Sequence, residues 1–170
     1  MLQVIKMAYY KKDKIIGKQE AYLKACNYCA YQERLQEEVR EKLKTLKIKN
    51  EEIEEIISDL ITNNFLNEER YAKAYAGGKY RIKKWGRLKI IRNLEGKGVS
   101  AYCIKKGIAE IEDNDYLETL YKLLLSKKDH IAEENIFILK NKLSVYTIGK
   151  GYEPELVWDA INKIFSNTKA

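Results

Sequence analysis

Proline occurs once in the 170 residues, at Pro154, and histidine once, at His130. With one proline the chain can be helical almost throughout, since no other residue disrupts a helix interior so strongly. With one histidine, preceded by Lys128 and Asp129, no serine or cysteine nucleophile has the usual general base beside it. Three cysteines, Cys26, Cys29 and Cys103, are an odd number in a chain without a recognisable signal, which argues against a disulfide framework. Cys26 and Cys29 form a CxxC with no second pair; at helical i, i+3 spacing beside Leu23 and Ala30 they read as small core thiols. No run approaches the roughly 20 apolar residues of a membrane span. Lys6, followed by Lys11, Lys12 and Lys14, leaves the opening stretch without a signal-peptide core. No GxxxxGK[ST] loop occurs. These absences lead us to expect a cytoplasmic, non-membrane protein that is not an enzyme and holds no metal or cofactor.

What the chain does have is a repeat. An apolar ladder anchored on Ile48, Val99 and Tyr152 recurs at +5, +9 and +12: Ile53, Ile57, Leu60; Ile104, Ile108, Ile111; Val157, Ile161, Ile164. It also runs backwards, through Val39, Ile90 and Leu143 at −9, and through Leu35, Gly86 and Leu139 at −13. A period of just over fifty residues implies helical units that stack because none can bury its apolar face alone. An open, elongated array of such units suits a long partner better than a small molecule in a cleft.

Each unit reads as helix, helix, turn, helix. The first has helices over 18–31 and roughly 34–46, then a third in which Asn50 is the expected N-cap, followed by Glu51 and Glu52 at its positive end. The carboxylates Glu51, Glu52, Glu54 and Glu55 read as a solvated first turn rather than a metal cluster. The second unit opens with Asn67 as cap, has a helix over 87–95 stopped by Gly96-Lys97-Gly98, and a last helix capped by Ser100 and running to about Ile111. The third has a helix after Asn114, one over about 132–146 stopped by Gly149-Lys150-Gly151, and one restarted by Glu153-Pro154, with proline where its missing donor costs nothing. Gly98-Val99-Ser100 and Gly151-Tyr152-Glu153 are tight corners. DNA-reading helix–turn–helix proteins use similar ones, but the helix after Val99 offers base edges little beyond Tyr102, Lys105 and Lys106, so the corners read as structural.

The formal charge is +7, and it is concentrated. Lys79, Arg81, Lys83, Lys84, Arg87, Lys89 and Arg92 fall within residues 79–94 without one acid; a second excess lies in the N-terminal lysines, leaving the remainder mildly acidic. A run of cations is ordinarily the solvated face of a helix. Here the alternating acids are missing, Tyr80 and Trp85 interleave, and Gly77-Gly78 and Gly86 interrupt the segment so that it can bend. A phosphate backbone fits, because cations release its counterions without reading sequence. Tyr9, Tyr10 and Tyr80 are the tyrosines best placed in the sequence to stack on a base or partner.

Phe65-Leu66-Asn67-Glu68-Glu69-Arg70-Tyr71-Ala72 resembles the Phe-x-(Asp/Asn)-(Asp/Glu)-x-Arg-(Phe/Tyr)-Ala opening of the middle repeat in the RecX family of bacterial recombinase modulators. Gly86, Ile90 or Ile91, Leu94 and Lys97-Gly98-Val99-Ser100 are similar to the core that follows it there, and Lys150-Gly151-Tyr152 to the last corner. Thr147 stands where the family usually has Leu, Lys150 where it has Arg, and Gly77-Gly78 is unusual in that helix and capable of kinking it. The resemblance implies three tandem three-helix repeats in a curved array that binds the RecA filament on DNA. It also implies lower ATP hydrolysis, strand exchange and co-protease activity, and so a place in DNA repair, recombination and the SOS response.

The expectation is therefore an all-α protein: a basic tail over 1–17 and repeats over 18–66, 67–113 and 114–170. It is expected to be a monomer. Lys79, Arg81, Lys83, Lys84, Trp85, Arg87, Lys89 and Arg92 are the expected contact with DNA phosphate or with the filament. The alternative is a stand-alone DNA-binding module whose log–log salt slope is no steeper than about −6 on B-DNA.

Overall fold

The computed structural model describes residues 16–166; Tyr9, Tyr10 and the lysines up to Lys14 lie outside that range. Nine α-helices and no strand occur among the described residues: α1 (Lys18–Tyr31), α2 (Gln36–Thr45), α3 (Asn50–Thr62), α4 (Glu68–Lys83), α5 (Arg87–Glu95), α6 (Ala101–Ile108), α7 (Asp113–Asp129), α8 (Ile136–Gly149) and α9 (Pro154–Ser166). The chain divides into two compact units, residues 1–66 and 67–170.

In the first unit, α1, α2 and α3 pack on one another around a single core. The α3 stripe Ile53, Ile56, Ile57, Leu60 meets Val39 and Leu43 of α2 and the small face of α1, Ala21, Ala25, Cys26 and Cys29. Both thiols of the CxxC are thus core residues. Burying each large aliphatic stabilises by about 1.5–3 kcal/mol, far more than any surface pair in this unit. In the second unit α4, α5 and α6 pack together, as do α7, α8 and α9. Helix α4 crosses α6 where Gly107 meets Ala72: a Cβ on Gly107 would lie 2.7 Å from the Ala72 carbonyl oxygen.

The three corners are built alike. In each the anchor N–H returns to a carbonyl five residues back, Ile48 to Leu43, Val99 to Leu94 and Tyr152 to Thr147, at 3.1 to 3.5 Å. The residue before the anchor is left-handed, with φ 60° at Lys47, 77° at Gly98 and 94° at Gly151. This is the Schellman ending, in which the anchor seals the angle between two helices. All three anchors are buried, and Tyr152 is fully so. Thr147, in place of leucine beneath Tyr152, is buried without cost in unmade bonds, since its hydroxyl lies 2.9 Å from Leu143 O and 3.3 Å from Ser144 O.

Asn67 and Ser100 cap α4 and α6 as expected, accepting from Arg70 N–H at 2.9 Å and Cys103 N–H at 3.4 Å. Other termini differ. Asn50 is the first residue of α3 and caps nothing, because the Lys49 carbonyl already accepts the first helical bond from Ile53. The eighth helix begins at Ile136, not near Ala132: Asn135 accepts from the N–H groups of Phe137 and Ile138 and sets the start. Helix α4 runs unbroken through Gly77-Gly78, so the pair does not interrupt the basic segment; the break comes at Lys84 to Gly86.

Candidate nucleic-acid interface

The basic segment is the last turn of α4, a three-residue connector and α5. Helix α4 ends because Lys84 turns left-handed, at φ 54°, while Trp85 N–H reaches back to Lys79 O. That turn places Trp85 against two ammonium groups, Lys79 Nζ at 5.3 Å and Lys89 Nζ at 4.8 Å from its ring. Lys79 Nζ also lies 5.1 Å from the Tyr75 ring. Arg81, Lys83, Lys84 and Arg92 are exposed. Gly77 gives Arg81 room, since a Cβ there would sit 2.8 Å from both terminal guanidinium nitrogens.

Arg87 is turned inward. Its guanidinium lies 4.2 Å from the Tyr116 ring and donates to Ile111 O at 2.8 Å and Asp113 Oδ1 at 2.5 Å. The Arg87 backbone N–H donates to Tyr116 Oη at 3.0 Å, and that hydroxyl donates to Glu153 Oε2 at 2.6 Å. Burial, helped by the Glu153 carboxylate, raises the Tyr116 pKa well above its ordinary value; burial does the same to Tyr152. The two rings stack at 4.9 Å, and Tyr80 joins them, 6.0 Å from Tyr116, with its hydroxyl 2.9 Å from that of Thr119. Tyr80 is thus half-buried, with its ring and hydroxyl engaged by Tyr116 and Thr119.

Beside this column the backbone of the α5 start interlocks with the last corner. Gly86 N–H donates to Lys150 O at 2.8 Å and Leu88 N–H to Gly151 O at 3.0 Å. A Cβ on Gly86 would lie 2.2 Å from the Gly151 carbonyl carbon, so only glycine fits. The sequence pattern marked Gly86, Gly151 and Tyr152 as equivalent rungs and corners but gave no sign that they touch, because they are distant in the chain and belong to no shared period. Tyr116 and Glu153 were missed for the same reason.

Of the eight expected contact residues, the structure gathers Lys79, Trp85 and Lys89 into one cluster, leaves Arg81, Lys83, Lys84 and Arg92 exposed around it, and commits Arg87 to the junction. Among the described residues none of the six other cations forms an ion pair. No group of three or more His, Cys, Asp or Glu side chains suited to a metal occurs among them either, and no helix is long and apolar enough to cross a membrane.

Helices alone, in three-helix sets closed by left-handed corners, with a cation surface at the junction of two sets, define a helical-repeat protein. The chain belongs to the RecX family. The family models for "RecX, first three-helix domain" and "RecX, second three-helix domain" match residues 21–60 and 67–108. The Regulatory protein RecX of Clostridium acetobutylicum is 32% identical over 135 residues, 77% of this chain and 62% of that protein. That of Bacillus cereus is 28% identical over 139 residues, 82% of this chain and 52% of its own length. The chain thus spans about half the length of the Bacillus relatives it matches. The crystal structure of RecX from Lactobacillus salivarius superposes with a TM-score of 0.77 at 25% identity, over 86% of this chain and 95% of the other. A second, of a regulatory protein RecX, gives 0.75 at 21% and shows the fold alone.

Proposed function

We propose that this chain is a regulator of the RecA recombinase: it binds the filament on DNA and lowers its ATP hydrolysis, strand exchange and co-protease activity, and so restrains recombination, repair and the SOS response. It does so in the cytoplasm, as a monomer, by binding and without chemistry of its own. Its contact modules are the repeats 18–66, 67–113 and 114–170, and the surface that meets the filament is centred on Lys79, Arg81, Lys83, Lys84, Trp85, Lys89 and Arg92. Arg87 serves that surface from beneath by holding its two sides together. The observation that supports this reading most is the set of cations around Trp85 that no carboxylate neutralises among the described residues, in a chain of the RecX family. Charges that no carboxylate neutralises keep their field for an external polyanion.

A stand-alone DNA-binding module is the second reading, favoured by the aromatic ring set between two lysines. DNA-dependent ATP hydrolysis by the cognate recombinase, titrated with this protein, separates them. Inhibition at a small fraction of one chain per recombinase subunit is the expected result. Inhibition only when the protein is abundant enough to coat the DNA would replace filament binding with competition for phosphate.

A further inference from the structure

Trp85 is not the only aromatic ring held between two ammonium groups. On the other side of the interlocked glycines, Tyr146 of α8 has Lys127 Nζ at 5.0 Å and Lys150 Nζ at 5.4 Å from its ring. The two clusters are joined across the junction: Lys89 Nζ lies 3.5 Å from Gly149 O, and Lys150 Nζ 3.4 Å from Lys83 O. All four lysines and both rings are half-buried, and among the described residues none of these ammonium groups forms an ion pair. A ring face steadies an ammonium by about 0.5–1 kcal/mol without neutralising it. A carboxylate, by contrast, cancels the charge an external anion would meet.

We propose that the anion surface continues through the junction onto α7 and α8, with Lys127, Tyr146 and Lys150 as its second half, and that the ligand lying across it is the phosphodiester backbone of a nucleic-acid strand. This rests on the reading of the basic segment given under Proposed function and extends it to residues outside that segment. The chemistry favours phosphate over an acidic protein face. A strand offers regularly spaced charges that can bridge two lysine pairs separated by a fixed junction, and it needs no carboxylate-sized pocket. The junction supplies the spacing: Gly86 and Gly151, with Arg87 on Tyr116, hold the pairs in one register.

Binding of a fluorescein-labelled oligo-dT, followed by anisotropy over a salt series, tests this with the full chain. Lys127→Ala touches nothing at the junction and is expected to make the log–log salt slope shallower by about 0.7; Lys127→Ala with Lys150→Ala by about 1.4. Affinity at low salt should fall several-fold in the double variant, while the melting transition stays cooperative and drops by only the few degrees that losing the Lys150 bond to Lys83 O and the ring contacts accounts for. Lys79→Ala with Lys89→Ala is the positive control. Wild-type slopes in both Lys127 variants, beside a weakened control, would end the surface at α5 and overturn the inference while leaving the proposed function untouched. Inhibition of the recombinase by a chain that holds no oligo-dT even at low salt would overturn it too, and assign the cations to an acidic protein face. Oligo-dT binding through both pairs, without any inhibition of the recombinase, would uphold this inference and remove the filament reading instead.

Discussion

The first unit and the basic segment of the second use most of their cations differently. In the first, Lys18 pairs with Glu55, Lys24 with Glu20, Lys44 with Glu41, and Arg40 grips both oxygens of Glu54 while also reaching Glu37. In the basic segment of the second, Arg87 alone meets a carboxylate among the described residues, and the neighbouring lysines lie against aromatic rings and backbone carbonyls. A cation on a carboxylate contributes a little to folding and is silent to a partner; a cation on a ring keeps its field. What separates a solvated face from a binding face is therefore not how many cations a stretch contains, but where its acids are.

The corners sharpen the same contrast, and carry the largest expected effect. Gly86→Ala drives a methyl group into the Gly151 carbonyl and should destabilise the second unit by about 3 kcal/mol or more in a denaturant titration. At the first corner the sign reverses: Lys47 bears a side chain at φ 60°, so Lys47→Gly should stabilise by about 0.5–1 kcal/mol. A Gly86→Ala variant as stable as the parent would mean that the interlock is not what joins the two sides of the surface.

Tyr116→Phe comes next. It leaves the Arg87 N–H and the Glu153 carboxylate without their shared hydroxyl, at a cost of about 1–3 kcal/mol. It also alters the alkaline limb. Tyr116 and Tyr152 are held above the ordinary tyrosine value of 10.0, so the folded state binds more protons than the unfolded one above that pH. Their contribution is whole below pH 10 and declines as pH rises beyond it. Melting temperatures from pH 9 to 11 should fall less steeply in Tyr116→Phe than in the parent.

The smallest effects distinguish the two kinds of cation directly. Glu54→Gln removes a carboxylate that Arg40 holds below its ordinary value of 4.5. The stability it lends is present above that value and lost as pH falls through the lowered one. Its loss should be detectable near neutral pH, smaller than either change above, and absent in acid. Lys83→Gln with Lys84→Gln should leave the melting temperature unchanged and weaken filament inhibition. A melting-temperature drop there would show that these lysines belong to the fold.

Much of the fold could be read from the chain. The ladders on Ile48, Val99 and Tyr152 place the core because a helix buries one stripe every 3.6 residues, and helices over 18–31 and 87–95 follow from that stripe with their stops. Termini were less legible: Asn50 and Asn135 offer the same side chain, and which of them caps depends on where the incoming backbone turns. The candidate surface was half legible. Its cations and Trp85 stand in one run, whereas Lys127 and Tyr146 lie in sequence surroundings no different from any solvated helix.

By itself, the amino-acid sequence determined the helical class, most helix positions, the apolar ladder with its buried stripe and the existence of an acid-free basic segment, since all of these follow from local spacing and composition. Tertiary structure alone decided that Arg87 lies over Tyr116 and pairs with Asp113, that Gly86 must be glycine because a carbonyl from sixty-five residues away occupies its Cβ position, and that Trp85 and Tyr146 carry matching lysine pairs across one junction. Such facts depend on which surfaces meet when two three-helix sets dock. Docking is set by shape and by bonds between residues far apart in the chain, for which no local pattern exists.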